Sequence, residues 1–83
     1  MIVKLRYFAS IREAIGASSE SADTKAATLG ALREELVARG GAYAEALARG
    51  RAVRVALNQT MSDETAALTE GAEVGFFPPV TGG

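Results

Sequence analysis

The segment from Thr28 to Gly40 (TLGALREELVARG) has the strongest helical pattern in this sequence and constrains the fold most. Its apolar residues recur at positions i, i+3, i+7 and i+8, which lie on one face of a helix. These residues are Leu29, Leu32, Leu36 and Val37. Thr28 is a candidate N-cap, and Gly40-Gly41 predicts the end of the helix. Because a single apolar face must be covered, we expect the rest of the chain to supply a second layer.

Alternating segments predict that this second layer is a β-sheet. Residues 2–8 (IVKLRYF), 53–57 (VRVAL) and 73–77 (EVGFF) alternate between two faces, a pattern typical of half-buried strands. The core-facing residues are Val3, Leu5, Tyr7, Val53, Val55, Leu57, Val74 and Phe76. Phe8 and Phe77 fall on the opposite face, which in the first strand also carries the charged Lys4 and Arg6.

Weaker signals complete the predicted fold. Ser10 begins an S-x-x-E capping box with Glu13, and Gly16 can end a short helix in the left-handed conformation. Three further short elements are expected: an edge strand near Glu20–Asp23, a helical turn at Tyr43–Ala48 and a strand around Met61. The order of elements predicts an α+β fold with a mixed β-sheet packed on one main helix plus a short helix. We expect one domain over residues 1–83.

Composition excludes several classes of function. The 83 residues contain no Cys and no His, and the net charge is −1. Thiol nucleophiles, imidazole bases and the usual zinc ligands are missing, and no acid pair stands out, so neither a freestanding catalyst nor a metal site is expected. The weak charge argues against nucleic-acid and membrane binding. The N-terminus has no apolar signal segment, so we expect a cytoplasmic protein.

The outward-facing rings of Phe8 and Phe77 indicate a possible protein contact. If the first and last strands are neighbours, the two rings meet, and Met61 can lie near them. An exposed apolar patch of this kind usually marks a binding surface. The alternative is that another segment, such as Tyr43–Leu47, folds over the rings, and the sequence pattern leaves both interpretations open.

The sequence ends in FFPPVTGG, and we expect residues 78–83 to form a projecting tail. Pro78-Pro79 has fixed φ angles, so this arm has little conformational entropy to lose on binding. Val80 and Thr81 offer modest side chains for anchoring. Gly82-Gly83 has no Cβ and fits a narrow channel. The terminal carboxylate has an ordinary pKa of about 3.5 and is a candidate nucleophile toward an activated phosphate.

Three segments occur in an order typical of one protein family: LRYFASIREAIG, VALNQT and LTEGAEVGFFPPVTGG. They resemble the opening, middle and closing signatures of the small, sulfur-carrying subunit of molybdopterin synthase. The similarity covers nearly the whole chain and implies a ubiquitin-like β-grasp fold, in agreement with the predicted element order. The chain departs from the common pattern at Ala72 and Gly75, and we expect Gly75 to weaken the last strand locally.

The resemblance also implies a chemistry for Gly83. An E1-like adenylyltransferase uses Mg-ATP to form a glycyl adenylate, and a sulfurtransferase donor converts this to a thiocarboxylate. The tail residues Pro78, Pro79, Val80, Thr81 and Gly82 then thread into the large subunit of molybdopterin synthase. Two such carriers sulfurate cyclic pyranopterin monophosphate, in a synthase of two large and two small subunits. The carrier keeps no bound cofactor.

Partner contacts in this family use apolar residues that match Phe8, Met61 and Phe77, and an arginine that matches Arg12. Other functions share the same kind of tail. They are a sulfur carrier of another pathway such as thiamine thiazole synthesis, a ubiquitin-like modifier that joins Gly83 to lysines, and a β-grasp interaction module with an inert tail.

Overall fold

The computed structural model describes residues 1–48 and 50–79. The elements in chain order are β1 (Ile2–Tyr7), α1 (Ala9–Ile15), β2 (Ser19–Asp23), α2 (Leu29–Ala38), α3 (Gly41–Leu47), β3 (Arg54–Leu57), β4 (Thr60–Ser62) and β5 (Glu73–Phe77). The predicted tail residues Val80, Thr81, Gly82 and Gly83 lie outside the described residues. Within the described ranges, no helix is both long enough and apolar enough to cross a membrane.

The strands form a mixed sheet with the order β2-β1-β5-β3-β4. At its centre β1 and β5 run parallel, with Leu5 opposite Val74 and Tyr7 opposite Phe76. On either side of this pair, β2 and β3 run antiparallel to β1 and β5 respectively. The first and last strands of the chain are therefore neighbours, the arrangement that allows the rings after Tyr7 and Phe76 to meet.

The helix α2 covers one face of the sheet with the apolar residues predicted from the sequence. Leu29, Leu32 and Leu36 are buried. They share one core with the strand residues Val3, Leu5, Tyr7, Val74 and Phe76. Each apolar side chain of this size stabilises the fold by about 1.5–3 kcal/mol when it is fully buried. The predicted α+β fold, with a mixed sheet on one main helix, is confirmed.

Two helix ends and three weak elements agree with the sequence predictions. The Thr28 hydroxyl oxygen accepts a hydrogen bond from the Ala31 N–H at 3.2 Å, so Thr28 caps α2. Gly16 ends α1 with a left-handed φ of 86°. The elements β2, α3 and β4 form where the sequence predicts an edge strand, a helical turn and a short strand.

The predicted capping box at Ser10 is wrong, because α1 begins at Ala9 and Ser10 therefore lies inside the helix. Phe8 occupies the N-cap position without a side-chain hydrogen bond. Its backbone N–H donates to the Phe76 carbonyl at 3.2 Å, which ties this residue to the sheet. The chain then turns at Ala9, where φ is 51°. This tight turn keeps Phe8 beside the end of β5.

Arg33 on α2 is buried, which the helical pattern does not predict. Its guanidinium donates hydrogen bonds to the carbonyls of Leu47, Ala48 and Arg51 at 2.7, 2.7 and 2.9 Å. It also binds the Glu64 carboxylate at 2.8 Å. Carbonyls at the end of a helix lack partners within the helix. Arg33 therefore completes the end of α3 and fixes the connection that leads into β3.

Candidate functional site

The sheet face opposite α2 carries the candidate docking surface. Its apolar residues are Phe8, Ala56, Met61, Gly75 and Phe77. Cross-strand pairing places Gly75 opposite Ala56, and Ala56 opposite Met61, in one lateral row. Phe8 and Phe77 lie in the neighbouring row, because they directly follow the cross-strand pair of Tyr7 and Phe76. Paired residues of adjacent strands point to the same side of a sheet, so all five belong to one surface.

Phe8 and Phe77 form a parallel stack, with ring centroids 4.3 Å apart and an interplanar angle of 4°. Both residues are half-buried, so part of each ring remains open. The predicted meeting of these rings on the outward face is confirmed. The alternative, in which Tyr43–Leu47 covers them, is wrong, because the Tyr43 ring contacts Tyr7 on the core side of the sheet.

Gly75 makes room for this stack. A Cβ at this position would lie 3.0 Å from Cε2 of Phe77 and 3.2 Å from Cε2 of Phe8. The sequence alone predicts only that Gly75 weakens β5, whereas the structure shows a packing role. The cross-strand partner of Gly75 is Ala56, another small residue.

An open groove of about 620 Å³ lies beside the stacked rings. Met61 lines it and is 53% exposed, the largest exposed fraction of any large apolar side chain in the described ranges. Pro78 and Pro79 line the same groove, so the arm leaves β5 at its edge. The same two prolines also border a second groove of about 430 Å³, which is lined by residues of α1 and α3. Both sides of the arm are therefore accessible to a partner.

Two arginines flank the docking surface. Arg54 lines the apolar groove and is the cross-strand partner of Phe77. The guanidinium carbon of Arg6 lies 5.8 Å from the centre of the Phe8 ring, and Arg6 is opposite Gly75. Both arginines are exposed. The apolar surface consequently carries positive charge on two sides.

A second aromatic stack lies on the core side of the same strands. The rings of Tyr7 and Phe76 are 6.0 Å apart with an interplanar angle of 20°. The hydroxyls of Tyr7 and Tyr43 donate hydrogen bonds to one oxygen of Glu20, at 2.9 and 2.6 Å. Arg39 binds the other oxygen at 2.9 Å. This Glu20 cluster (Glu20, Tyr7, Tyr43 and Arg39) links the edge strand β2 to β1 and to the helical layer.

The Glu20 cluster shifts the pKa values of its members. Burial raises the pKa of Glu20, but hydrogen bonds from Tyr43, Arg39 and Tyr7 outweigh burial and leave this pKa below its ordinary value of 4.5. Burial, together with the hydrogen bond to Glu20, raises the pKa of Tyr7. The hydrogen bond to Glu20 also raises the pKa of Tyr43. At neutral pH the carboxyl is therefore ionised and both phenols are protonated, the state that allows every hydrogen bond of the cluster.

The structure brings together three of the predicted partner-binding residues, Phe8, Met61 and Phe77, with Pro78 and Pro79 beside them. Arg12 is exposed on α1 and does not line the groove. The role of all four in binding stays a prediction. The sequence interpretation did not assign Arg6 or Arg54 to the site, although strand alternation puts both on the outward face. That alternation is the signal that could have identified them.

The outer sheet face of the described residues is a candidate binding surface. In residues 1–48 and 50–79, no group of His, Cys, Asp or Glu side chains is arranged to hold a metal ion. The surface instead combines apolar area, two guanidinium groups and a proline arm. Such a combination is suited to docking on another protein and directing the tail toward it.

The comparison of sequences identifies close relatives. The sequence profile of the ThiS family matches residues 5–83 of this chain. Over 82 residues the chain is 40% identical to the molybdopterin synthase sulfur carrier subunit of Haemophilus influenzae. That alignment covers 99% of this chain and 100% of the relative, so the similarity extends over nearly the whole sequence.

Two solved structures are similar over their full length. SAMP1 from Haloferax volcanii has a TM-score of 0.80 and 25% sequence identity, with 100% of both chains covered. A chain in the complex of subunits 1 and 2 of the molybdopterin-converting factor from Helicobacter pylori has a TM-score of 0.68 and 28% identity, again with 100% of both chains covered. These similarities confirm the expected ubiquitin-like β-grasp fold.

Proposed function

Because this chain belongs to the ThiS family, we propose that it is the sulfur carrier subunit of molybdopterin synthase and acts in molybdenum cofactor biosynthesis. The 40% identity to the Haemophilus influenzae sulfur carrier subunit supports this function. The structural observation that carries it is the position of Pro78-Pro79 at the edge of the apolar groove. A carrier needs a docking surface and an arm that starts at a fixed place beside it. The subunit does not catalyse a reaction by itself.

The reacting group in this proposal is the terminal carboxylate of Gly83. An E1-like adenylyltransferase binds Mg-ATP and transfers AMP to this carboxylate, with release of pyrophosphate. A sulfurtransferase donor then supplies sulfur at the oxidation level of sulfide, which bonds to the acyl carbon and displaces AMP, so Gly83 ends in a thiocarboxylate. Activation must come first, because a carboxylate oxygen is a poor leaving group and AMP is a good one. Mg-ATP belongs to the activating enzyme, and the carrier keeps no cofactor.

The partner in the sulfur-transfer step is the large subunit of the synthase. The Helicobacter pylori structure that this fold resembles is a complex of subunits 1 and 2, which supports such a partner. In the proposed complex Phe8, Met61 and Phe77 pack against the large subunit, and Arg12 makes a polar contact with it. Pro78-Pro79 directs the rest of the tail into its active site. A stiff arm loses little entropy on insertion, which favours this mode of binding.

The thiocarboxylate would then sulfurate cyclic pyranopterin monophosphate. We propose a cytoplasmic synthase of two large and two small subunits. Since each transfer returns Gly83 to a carboxylate, the carrier must dissociate and be charged again. The docking surface should therefore give a reversible contact rather than a permanent one.

The intact mass of the carrier tests this proposal. The purified chain is incubated with the adenylyltransferase, Mg-ATP and a sulfur donor, after its mass has established that it ends at Gly83. We expect the mass increase that corresponds to replacement of one oxygen by sulfur, and no increase without ATP. A variant that lacks Gly83 and a variant with one residue added after it should remain uncharged. Charging of the extended variant would contradict a terminal carboxylate as the reacting group.

The alternative functions predict different products. A ubiquitin-like modifier would form lysine-linked conjugates in cell extract, and an inert interaction module would show neither conjugates nor sulfur. A sulfur carrier for thiamine thiazole would be charged in the same way. In that case a deletion strain would retain molybdopterin and require thiazole. Loss of molybdopterin, with accumulation of the cyclic precursor, is the result that we expect.

A further inference from the structure

Arg6 and Arg54 are charged residues of the outer sheet face without a carboxylate partner in residues 1–48 and 50–79. Ion pairs in these ranges join the Met1 amino group to Asp23, Arg33 to Glu64 and Arg39 to Glu20. We propose that the docking surface recognises a partner protein that presents carboxylates opposite Arg6 and Arg54, around an apolar centre that covers the stacked rings. This inference rests on the proposed function, since it specifies the partner of the same surface.

The position of Arg6 prepares it for such a contact. Its guanidinium lies over the Phe8 ring, 5.8 Å from the ring centre, where the electron-rich ring face attracts the cation. Stacking of this kind leaves the N–H groups at the edge of the guanidinium free to bind a carboxylate in a bidentate manner. The phenylalanine therefore limits the motion of the arginine without using its hydrogen-bond donors.

Arg54 has a similar position on the other side of the rings. It is the cross-strand partner of Phe77, and it is the one charged residue among those that line the apolar groove. The next acidic residue along β5, Glu73, is opposite Lys4, two residues away from Gly75. Lys4 thus has an acidic cross-strand neighbour. In the same register Arg6 is opposite Ser19 and Gly75, and Arg54 is opposite Phe77, so neither arginine has one.

Other occupants fit this surface less well. If two copies of the chain met through it about a twofold axis, Arg6 and Arg54 of one copy would approach the same residues of the other, and like charges would repel. Nucleic acid would require many cationic contacts along a phosphate backbone, whereas the chain has a net charge of −1. An acidic protein surface satisfies both the guanidinium groups and the aromatic centre.

Charge-reversal variants test the inference in binding experiments with the large subunit of the same organism as the probe. Arg6→Glu and Arg54→Glu, made in the full chain, should each weaken binding about tenfold at about 50 mM salt, mainly through slower association. The effect should shrink severalfold at about 300 mM salt, because screening weakens interactions between exposed charges. Lys25→Glu is the matched control, since Lys25 is exposed in the connection between β2 and α2. It should change binding less than twofold.

A reciprocal change completes the test. Replacing the facing carboxylates of the large subunit by lysine should restore binding of Arg54→Glu and weaken binding of the natural chain. If Arg6→Glu and Arg54→Glu both bind as tightly as the natural chain while Phe77→Asp does not bind, the inference is overturned. The role of the docking surface in binding would still be supported. If the natural chain neither binds the large subunit nor accepts sulfur, the proposed function itself fails. Binding to an oligonucleotide that both reversals abolish would also overturn the inference.

Discussion

Two pairs of stacked aromatic rings lie on opposite faces of the sheet, at the place where β1 and β5 are neighbours. Tyr7 and Phe76 point into the core, with exposed fractions of 1% and 0%. Phe8 and Phe77 point outward and are half-buried, although their rings are closer and more nearly parallel. The inner pair is enclosed by the helical layer and bonded to Glu20 through Tyr7. The outer pair remains open to a partner.

The difference shows that ring stacking does not by itself decide the role of an aromatic residue. The burial of apolar area against many neighbours contributes stability, and the inner pair has that burial. A pair in which each ring is covered largely by the other contributes less to folding, but it retains apolar area for binding. The predictions that follow test whether the two pairs divide stability and binding in this way.

Phe76→Ala should have the largest effect on stability. Removal of a fully buried phenylalanine leaves a cavity and costs about 3–5 kcal/mol, whereas Phe77→Ala should cost less than half as much. Urea denaturation of both variants measures the difference in the free energy of unfolding. Equal losses would mean that the outer pair stabilises the fold as much as the inner pair does, which would contradict the division between stability and binding.

Phe77→Asp should separate binding from folding. A charge in the centre of the docking surface should weaken binding to the large subunit by about 2–4 kcal/mol, the range of an interface hot spot. Isothermal titration calorimetry measures this loss, and thermal unfolding should stay cooperative. Phe77→Leu is the matched control and should bind with intermediate affinity. Loss of cooperative unfolding in the Asp variant would assign Phe77 to the core.

Glu20→Gln should weaken the support of the inner pair. Loss of the ionised acceptor of three hydrogen bonds should cost about 1–3 kcal/mol at pH 7. Since the folded-state pKa of Glu20 lies below 4.5, its contribution is fully present above pH 4.5 and is lost as the pH falls through the folded-state pKa. The difference between the urea midpoints of the two proteins, measured between pH 7 and pH 3 in steps of about one pH unit, should narrow below pH 4.5. A constant difference over this range would exclude an ionic contribution.

Gly75→Ala should have the smallest effect on stability and should disturb the outer pair alone. The new Cβ would lie 3.0 Å from the Phe77 ring, so the ring must move. Replacement of glycine also lowers the conformational entropy of the unfolded chain. This stabilises the fold by about 0.4–1 kcal/mol and offsets part of the strain. We expect an almost unchanged unfolding temperature and binding to the large subunit that is several times weaker. Unchanged binding would mean that the exact stacking of the rings is unimportant.

Much of the fold could be predicted because local patterns report burial directly. The sequence predicts Thr28 as the N-cap of α2, and the structure confirms it. Strand alternation predicts that Phe8 and Phe77 point outward, and in the structure they do. The prediction at Ser10 failed because the hydrogen bond from Phe8 to Phe76, which is remote in the chain, fixes the start of α1. Arg33 has the sequence neighbours of a surface residue, and its burial depends on carbonyls from a distant loop.

The sequence by itself determined the division of residues between the two faces of the sheet, since side-chain direction in a strand follows from a period of two. It also contained the signatures of the family and the composition that excludes His and Cys chemistry. Only the tertiary structure decided that Phe8 and Phe77 stack, that Gly75 makes room for them and that Arg6 and Arg54 flank them. The physical reason is that strand order and register, which bring β3 beside β5, depend on long-range packing that local periodicity does not encode.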